Sequence, residues 1–226
     1  MHRRDGTRHR VQPKGELVKM NHRMGKKILP LFAAAAILTG FSAPALADAT
    51  GTIKGVVKTP WVKRYEALVY VDRVEGKAFP PPKGKILMSQ KNLVFKPHLL
   101  PILKGTTVDF TNDDSTIHNV FAPPGTAKPF NLGTYGVGVT KVMTFDSLGE
   151  VPLLCNVHAE MAGFIIVLQN PYYVLTDKSG NFEIKGVPPG TYKLKVWHEK
   201  LKEDSRSVTV EAGKTVSVEI TGLKNR

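Results

Sequence analysis

Beyond residue 47 no long stretch repeats its apolar residues at helical spacing. Instead, short runs rich in Val, Ile, Thr, Tyr and Phe alternate with Gly, Pro, Asn and Asp. Such runs are too short for helices that bury a face, and their period of two suits strands with one side in a core. The chain therefore reads as all-β. Strands are predicted over 52–57, 67–71, 106–111, 141–145, 163–168, 181–184, 191–196, 207–210 and 215–220.

One loop carries chemistry. Cys155, His158 and Met161 follow one another at three-residue intervals, placing a thiolate, an imidazole and a thioether side by side. Soft sulfur with imidazole selects copper, and two His, one Cys and a weak axial Met form the ligand set of blue-copper electron-transfer sites. The second imidazole has a natural candidate in His118, where a β-like run ends in a polar turn (Asn112-Asp113-Asp114-Ser115) before a new apolar run. Zinc also takes Cys and His, although its structural sites rarely include a thioether. Glu160 is an alternative axial donor. Taken singly, a buried Cys is usually an inert small hydrophobe, and a Met before an apolar strand is usually core.

Together, the C-x2-H-x2-M loop, the Gly163-Phe164-Ile165-Ile166-Val167 strand behind it and the upstream His118-Asn119-Val120 resemble the cupredoxins, most closely their amicyanin and plastocyanin branch. The resemblance spans about residues 80–170. It implies a Greek-key β-sandwich with one mononuclear type-1 copper held by His118, Cys155, His158 and Met161. It also implies that Asn119 ties the two ligand loops together behind the metal.

The N-terminal 47 residues read as an export signal with a basic extension. A positive segment precedes the apolar run at 28–38, and Ala45-Leu46-Ala47 supplies a cleavage site. The apolar run is too short for a retained membrane span, so no stable anchor is expected after cleavage, and the location implied is periplasmic or secreted. Met20 and Met24 are alternative starts. Nine of the 32 Lys and Arg and two of the 19 acids lie in residues 1–47, so cleavage lowers the formal charge from +13 to +6. No Arg-rich or aromatic-interleaved stripe remains, which argues against nucleic-acid binding. The residual positive charge favours an acidic redox partner protein. With one cysteine the exported chain cannot form an internal disulfide, and a free thiol in an oxidising compartment calls for an occupant.

The C-terminal part has another grammar. Thr176-Asp177-x-x-Gly180-x-Phe182 and Pro188-Pro189-Gly190-x-Tyr192 place tight turns between alternating strands. They resemble the carboxypeptidase-regulatory, transthyretin-like β-sandwich, and Asp177 reads as a turn cap rather than a calcium ligand. The opening of the mature chain at 51–57 and 67–71 resembles the first strands of that same family. The expected division is a leader over 1–47, first sandwich strands over 48–79, a cupredoxin over 80–170 and the rest of the sandwich over 171–226. A serial order, with an enlarged cupredoxin over 50–170, is the alternative.

The function expected is one-electron transfer between redox partners, with His158 as the solvent-edge ligand. Copper storage or delivery is the alternative, and a structural envelope module a third reading. Enzymatic turnover is excluded on the ground that four protein ligands leave no open position for substrate and no carboxylate pair stands ready for acid-base work. His98 and His198 are expected to be structural.

Overall fold

Sixteen strands and one short 3-10 turn (Pro60–Lys63) build residues 49–226, the part of the chain that the computed structural model describes. The export signal expected over 1–47 lies outside the described residues. No helix among the described residues is long and apolar enough to cross a membrane.

The strands form two sandwiches. In one, β1 (Gly51–Val57) lies between β13 (Asn181–Val187) and β16 (Thr215–Ile220), antiparallel to the first and parallel to the second. The opposing sheet runs β12 (Tyr173–Leu175), β2 (Leu68–Val71), β14 (Gly190–Trp197) and β15 (Asp204–Val210). Ile53, Val69, Ile184, Leu194 and Ile220 fill the space between them. In the β2 sheet, Tyr70 stands opposite both Tyr173 and Lys195, so the partners of β2 come from beyond residue 170. The whole second sandwich therefore lies, in sequence, between β2 and β12.

That second sandwich pairs a four-stranded sheet with a five-stranded one. The first has the order β4 (Val94–Lys96), β3 (Ile86–Lys91), β6 (Thr106–Asn112), β9 (Thr140–Phe145). The second has the order β5 (Leu99–Leu103), β11 (Ala162–Leu168), β10 (Gly149–Leu154), β7 (His118–Ala122), β8 (Phe130–Tyr135). Strand β6 shows the expected alternation, with Thr106, Val108, Phe110 and Asn112 buried and the residues between them facing outward. Phe110, Phe145, Val120, Leu153 and Ile165 form its core.

Several strands escape the alternation. Strand β5 contains Pro101 and β10 contains Pro152, and proline removes a ladder donor. Both are accommodated. Strand β5 is an edge strand, and β10 meets β7 only at Leu154 and Phe121, leaving the N side of Pro152 with no ladder to complete. Strand β8 carries Gly133 in the left-handed region at φ 71° and is mostly solvent-facing, which hides it from an apolar pattern.

The two sandwiches meet along β11. Its Ile165 and Val167 point into the second core, while Phe164, Ile166 and Leu168 join Leu68, Leu99 and Trp197 in a separate apolar cluster between the sandwiches. Polar contacts close the seam. His98 stacks on Tyr65 at 4.1 Å and its Nε2 lies 3.0 Å from a Glu199 carboxylate oxygen. Glu150 of β10 accepts from Trp197 Nε1 at 2.8 Å and from both terminal nitrogens of Arg226 at 3.0 and 2.7 Å. Burial pushes the Glu150 carboxyl up, but the hydrogen bonds from Arg226 and Trp197 outweigh it and leave it below its usual 4.5.

A carboxylate whose folded pKa is depressed stabilises the fold above its unfolded value and loses that contribution as pH falls through the folded one. Glu150→Gln should therefore melt roughly 2–4 °C below wild type at pH 7, the shift that about 1 kcal/mol produces in a domain of this size. The gap should close as pH falls below 4.5 and through the folded-state value, and calorimetry across that range checks it.

Candidate metal centre

Local sequence and long-range pairing share the construction of the site. Strand β10 delivers Cys155, and β11 starts just after Met161. Between them the chain turns tightly, the Met161 N–H donating to the His158 carbonyl at 3.1 Å. Gly163 lets β11 pass close to its neighbours: a Cβ there would stand 2.9 Å from Phe95 Cβ and 3.3 Å from the His98 carbonyl oxygen.

His118 arrives from β7. Its Nδ1 lies 3.1 Å from His158 Nδ1, and Cys155 Sγ lies 4.0 Å from the first nitrogen and 3.9 Å from the second. Among the described residues this is the one group of three or more His, Cys, Asp or Glu whose ligand atoms converge, all within 4.8 Å. His118 is fully buried and His158 half-buried. Met161 is buried in the same apolar cluster as Cys155, whereas Glu160 is exposed. Two imidazole nitrogens and one thiol sulfur form a donor set suited to a thiophilic metal.

The surroundings orient these groups. The Asn119 N–H donates to Cys155 Sγ at 3.4 Å and fixes the sulfur against β7. Asn119 Oδ1 accepts from the Asn156 N–H at 3.4 Å, and Nδ2 donates to Asn131 Oδ1 at 2.9 Å. Asn119 thus links β7, β8 and the loop after Cys155.

Asp114 went unnoticed in the sequence, yet its Oδ2 lies 3.1 Å from His118 Nε2. A carboxylate there requires the ring proton on Nε2, which leaves Nδ1 free to face Cys155 and His158. The N–H groups of Leu93 and Ser115, with a lesser share from His118, hold the Asp114 carboxyl at about 2, so it stays ionised. The one available signal was its place four residues before His118 in a turn rich in acids. Tyr135 also went unnoticed. It stands opposite His118 in the β7–β8 ladder, and its phenol, hydrogen-bonded to Gln90, is pushed up to about 12 by burial and by the charge of Cys155.

Other polar residues lie elsewhere. His98 belongs to the seam, and the buried His198 bonds the Tyr65 carbonyl and the Lys200 N–H. Asp177 caps its turn, accepting from the N–H groups of Ser179 and Asn181, each at 2.8 Å.

A domain family described as polysaccharide lyase family 4, domain II, matches residues 165–218, less than a quarter of the chain. No curated protein matches the chain by sequence. Structural neighbours over part of the chain are cupredoxins. A purple cupredoxin from Nitrosopumilus maritimus is 28% identical with a TM-score of 0.33, the match covering 38% of this chain and 99% of that one. A reduced Cu(I) amicyanin variant is 21% identical with a TM-score of 0.36, covering 39% and 91%. A copper-containing nitrite reductase from Thermus scotoductus is 25% identical with a TM-score of 0.37, covering 51% of this chain and 28% of that one. The last match corrects one expectation. The sequence reading excluded an enzyme, but the chains matched include one, so the exclusion does not stand.

Asp114→Asn should weaken metal binding at this site. The carboxylate receives three donors, Leu93 N–H and Ser115 N–H at 2.8 Å and His118 Nε2 at 3.1 Å, and a carboxamide must turn its own N–H toward at least one of them. Loss of such an orienting partner costs roughly 10–100-fold in metal affinity. Competitive titration with Cu(II) measures it.

Proposed function

We propose that the protein is an exported one-electron carrier that holds a single type-1 copper at His118, Cys155, His158 and Met161 and exchanges electrons with an acidic redox partner protein. The observation that carries this reading is the triangle of two imidazole nitrogens and one sulfur, with sides of 3.1, 3.9 and 4.0 Å, already assembled in a mostly buried setting. The donor set fits copper. Cys155, His118 and His158 would hold the ion, with the buried Met161 thioether as a fourth, weaker donor.

Copper bound there supplies a couple between Cu(II) and Cu(I). The chain's own residues hold it and limit rearrangement. Cys155 contributes the thiolate under the Asn119 N–H, and Asp114 fixes the His118 ring. Half-buried His158 provides the route to solvent and partner. We assign the other sandwich to the carboxypeptidase-regulatory, transthyretin-like kind. The Asp177-capped turn and the Tyr192 hydroxyl donating to the Pro188 carbonyl at 3.0 Å support that assignment.

Loading with Cu(II) should produce an intense visible thiolate-to-copper band, and Cys155→Ser should abolish it. Met161→Gln should keep the colour and lower the reduction potential, because a harder oxygen donor favours Cu(II). A copper-loaded wild type without the band, or a Cys155→Ser variant that retains it, overturns the type-1 assignment. Absorption spectroscopy and voltammetry provide both readouts.

A further inference from the structure

The β3–β4 hairpin turns through two residues, Asn92 and Leu93, between the paired Lys91 and Val94. Both turn residues have φ 59°. A two-residue hairpin of this kind needs positive φ at both positions and favours Asn followed by Gly. Asn tolerates that conformation; Leu pays a steric penalty there. Packing does not repay it, since Leu93 remains 47% exposed. A strained residue that persists without packing calls for another reason.

The reason lies in where its N–H points. Leu93 donates to Asp114 Oδ2 at 2.8 Å, across 21 residues of sequence, and the same oxygen lies 3.1 Å from His118 Nε2. Among the described residues, the other carboxylate oxygen is held only by the adjacent Ser115 N–H. A second tie docks the same loop on the hairpin, with Asp113 N–H donating to the Gln90 carbonyl at 3.0 Å and the Ser89 hydroxyl to Asp113 Oδ2 at 2.5 Å.

We propose that Leu93 is a positioning residue for the metal centre: its left-handed backbone aims an N–H at Asp114, which in turn fixes the ring of His118 with Nδ1 facing Cys155 and His158. The proposal rests on the reading of this cluster as a copper site for its importance, but not for its test. Without the Leu93 N–H, the carboxylate keeps one local tie and is free to turn about its own Cα–Cβ and Cβ–Cγ bonds. The Nε2–H of His118 then loses its fixed acceptor.

The experiment replaces Leu93 by its α-hydroxy acid, which exchanges the N–H for an ester oxygen and keeps the side chain in place. In the apo-protein, NMR should show the His118 Nε2–H exchanging with water at least tenfold faster than in wild type. Cu(II) affinity should fall about tenfold, as expected for loss of a ligand-orienting partner. Leu93→Gly, which keeps the N–H and relieves the strain, should retain slow exchange and raise the melting temperature. The apo measurement decides the matter even if wild type binds no copper. Unchanged exchange in the ester variant, or equal acceleration in Leu93→Gly, overturns the proposal. Should the ester variant fail to fold, the wild-type apo-protein provides a second reading: a scalar coupling between the Leu93 amide nitrogen and the Asp114 carboxylate carbon is expected, and its absence is equally fatal.

Discussion

Strand β11 has no solvent face. Its alternate side chains enter two different apolar clusters, Ile165 and Val167 on one side, Phe164, Ile166 and Leu168 on the other. A slip of one residue would exchange the two sets and misfit both, so the register of β11 is fixed from both sides at once. The loop of the candidate metal centre inherits that register. Strand β10 pairs along its whole length with β11, from Gly149 opposite Val167 to Leu154 opposite Ala162. The loop holding Cys155 and His158 spans the gap between those two strands. The other sandwich therefore bears on the centre indirectly, by burying the outer face of β11 and gripping β10 at Glu150.

The remaining ligand candidate is attached more lightly. Strand β7 touches β10 in the ladder only through Phe121 and Leu154. Asn119 adds side-chain and backbone bonds to the far loop, and β8 holds β7 from its other edge. His118 thus depends on hydrogen bonds of the loops as much as on sheet pairing. This is where an orienting carboxylate has most effect, because a ring fixed at Cβ alone retains rotation about its own bonds.

Much of this was legible in the residues and some was not. The all-β class followed from short alternating runs, as in β6 and β13, where the inward positions are apolar apart from Thr106 and Asn112 at the ends of β6. Cys155, His158 and Met161 stood out because they are near neighbours of unusual chemical type, and His118 because it opens an apolar run after a polar turn. Strands such as β5, β8 and β10 were hidden by Pro101, Gly133 and Pro152, residues that an isolated strand disfavours and that edge or partly paired positions accept. The seam was hidden for another reason. A strand buried on both faces reads as one continuous apolar run, which does not tell how many cores it serves. The contact between Asp114 and Leu93 was beyond reach, since it joins segments 21 residues apart through a turn geometry that the letters Asn-Leu argue against.

The asymmetry between the two imidazoles bears on what the centre does best. His118 is fully buried and its ring is committed through Nε2 to a carboxylate, while His158 sits half-exposed on the loop. A metal held here would be reached from solvent on the His158 side, with His118 and Cys155 enclosed behind it. A carrier of electrons would profit from that arrangement, because donors that stay in place limit rearrangement between oxidation states while one ring edge remains open to a partner. A protein that delivers metal would gain from the reverse, an inner ligand free to swing and release. The bonds from Leu93 to Asp114 and from Asp114 to His118 oppose such swinging, and this weighs toward electron transfer over metal delivery.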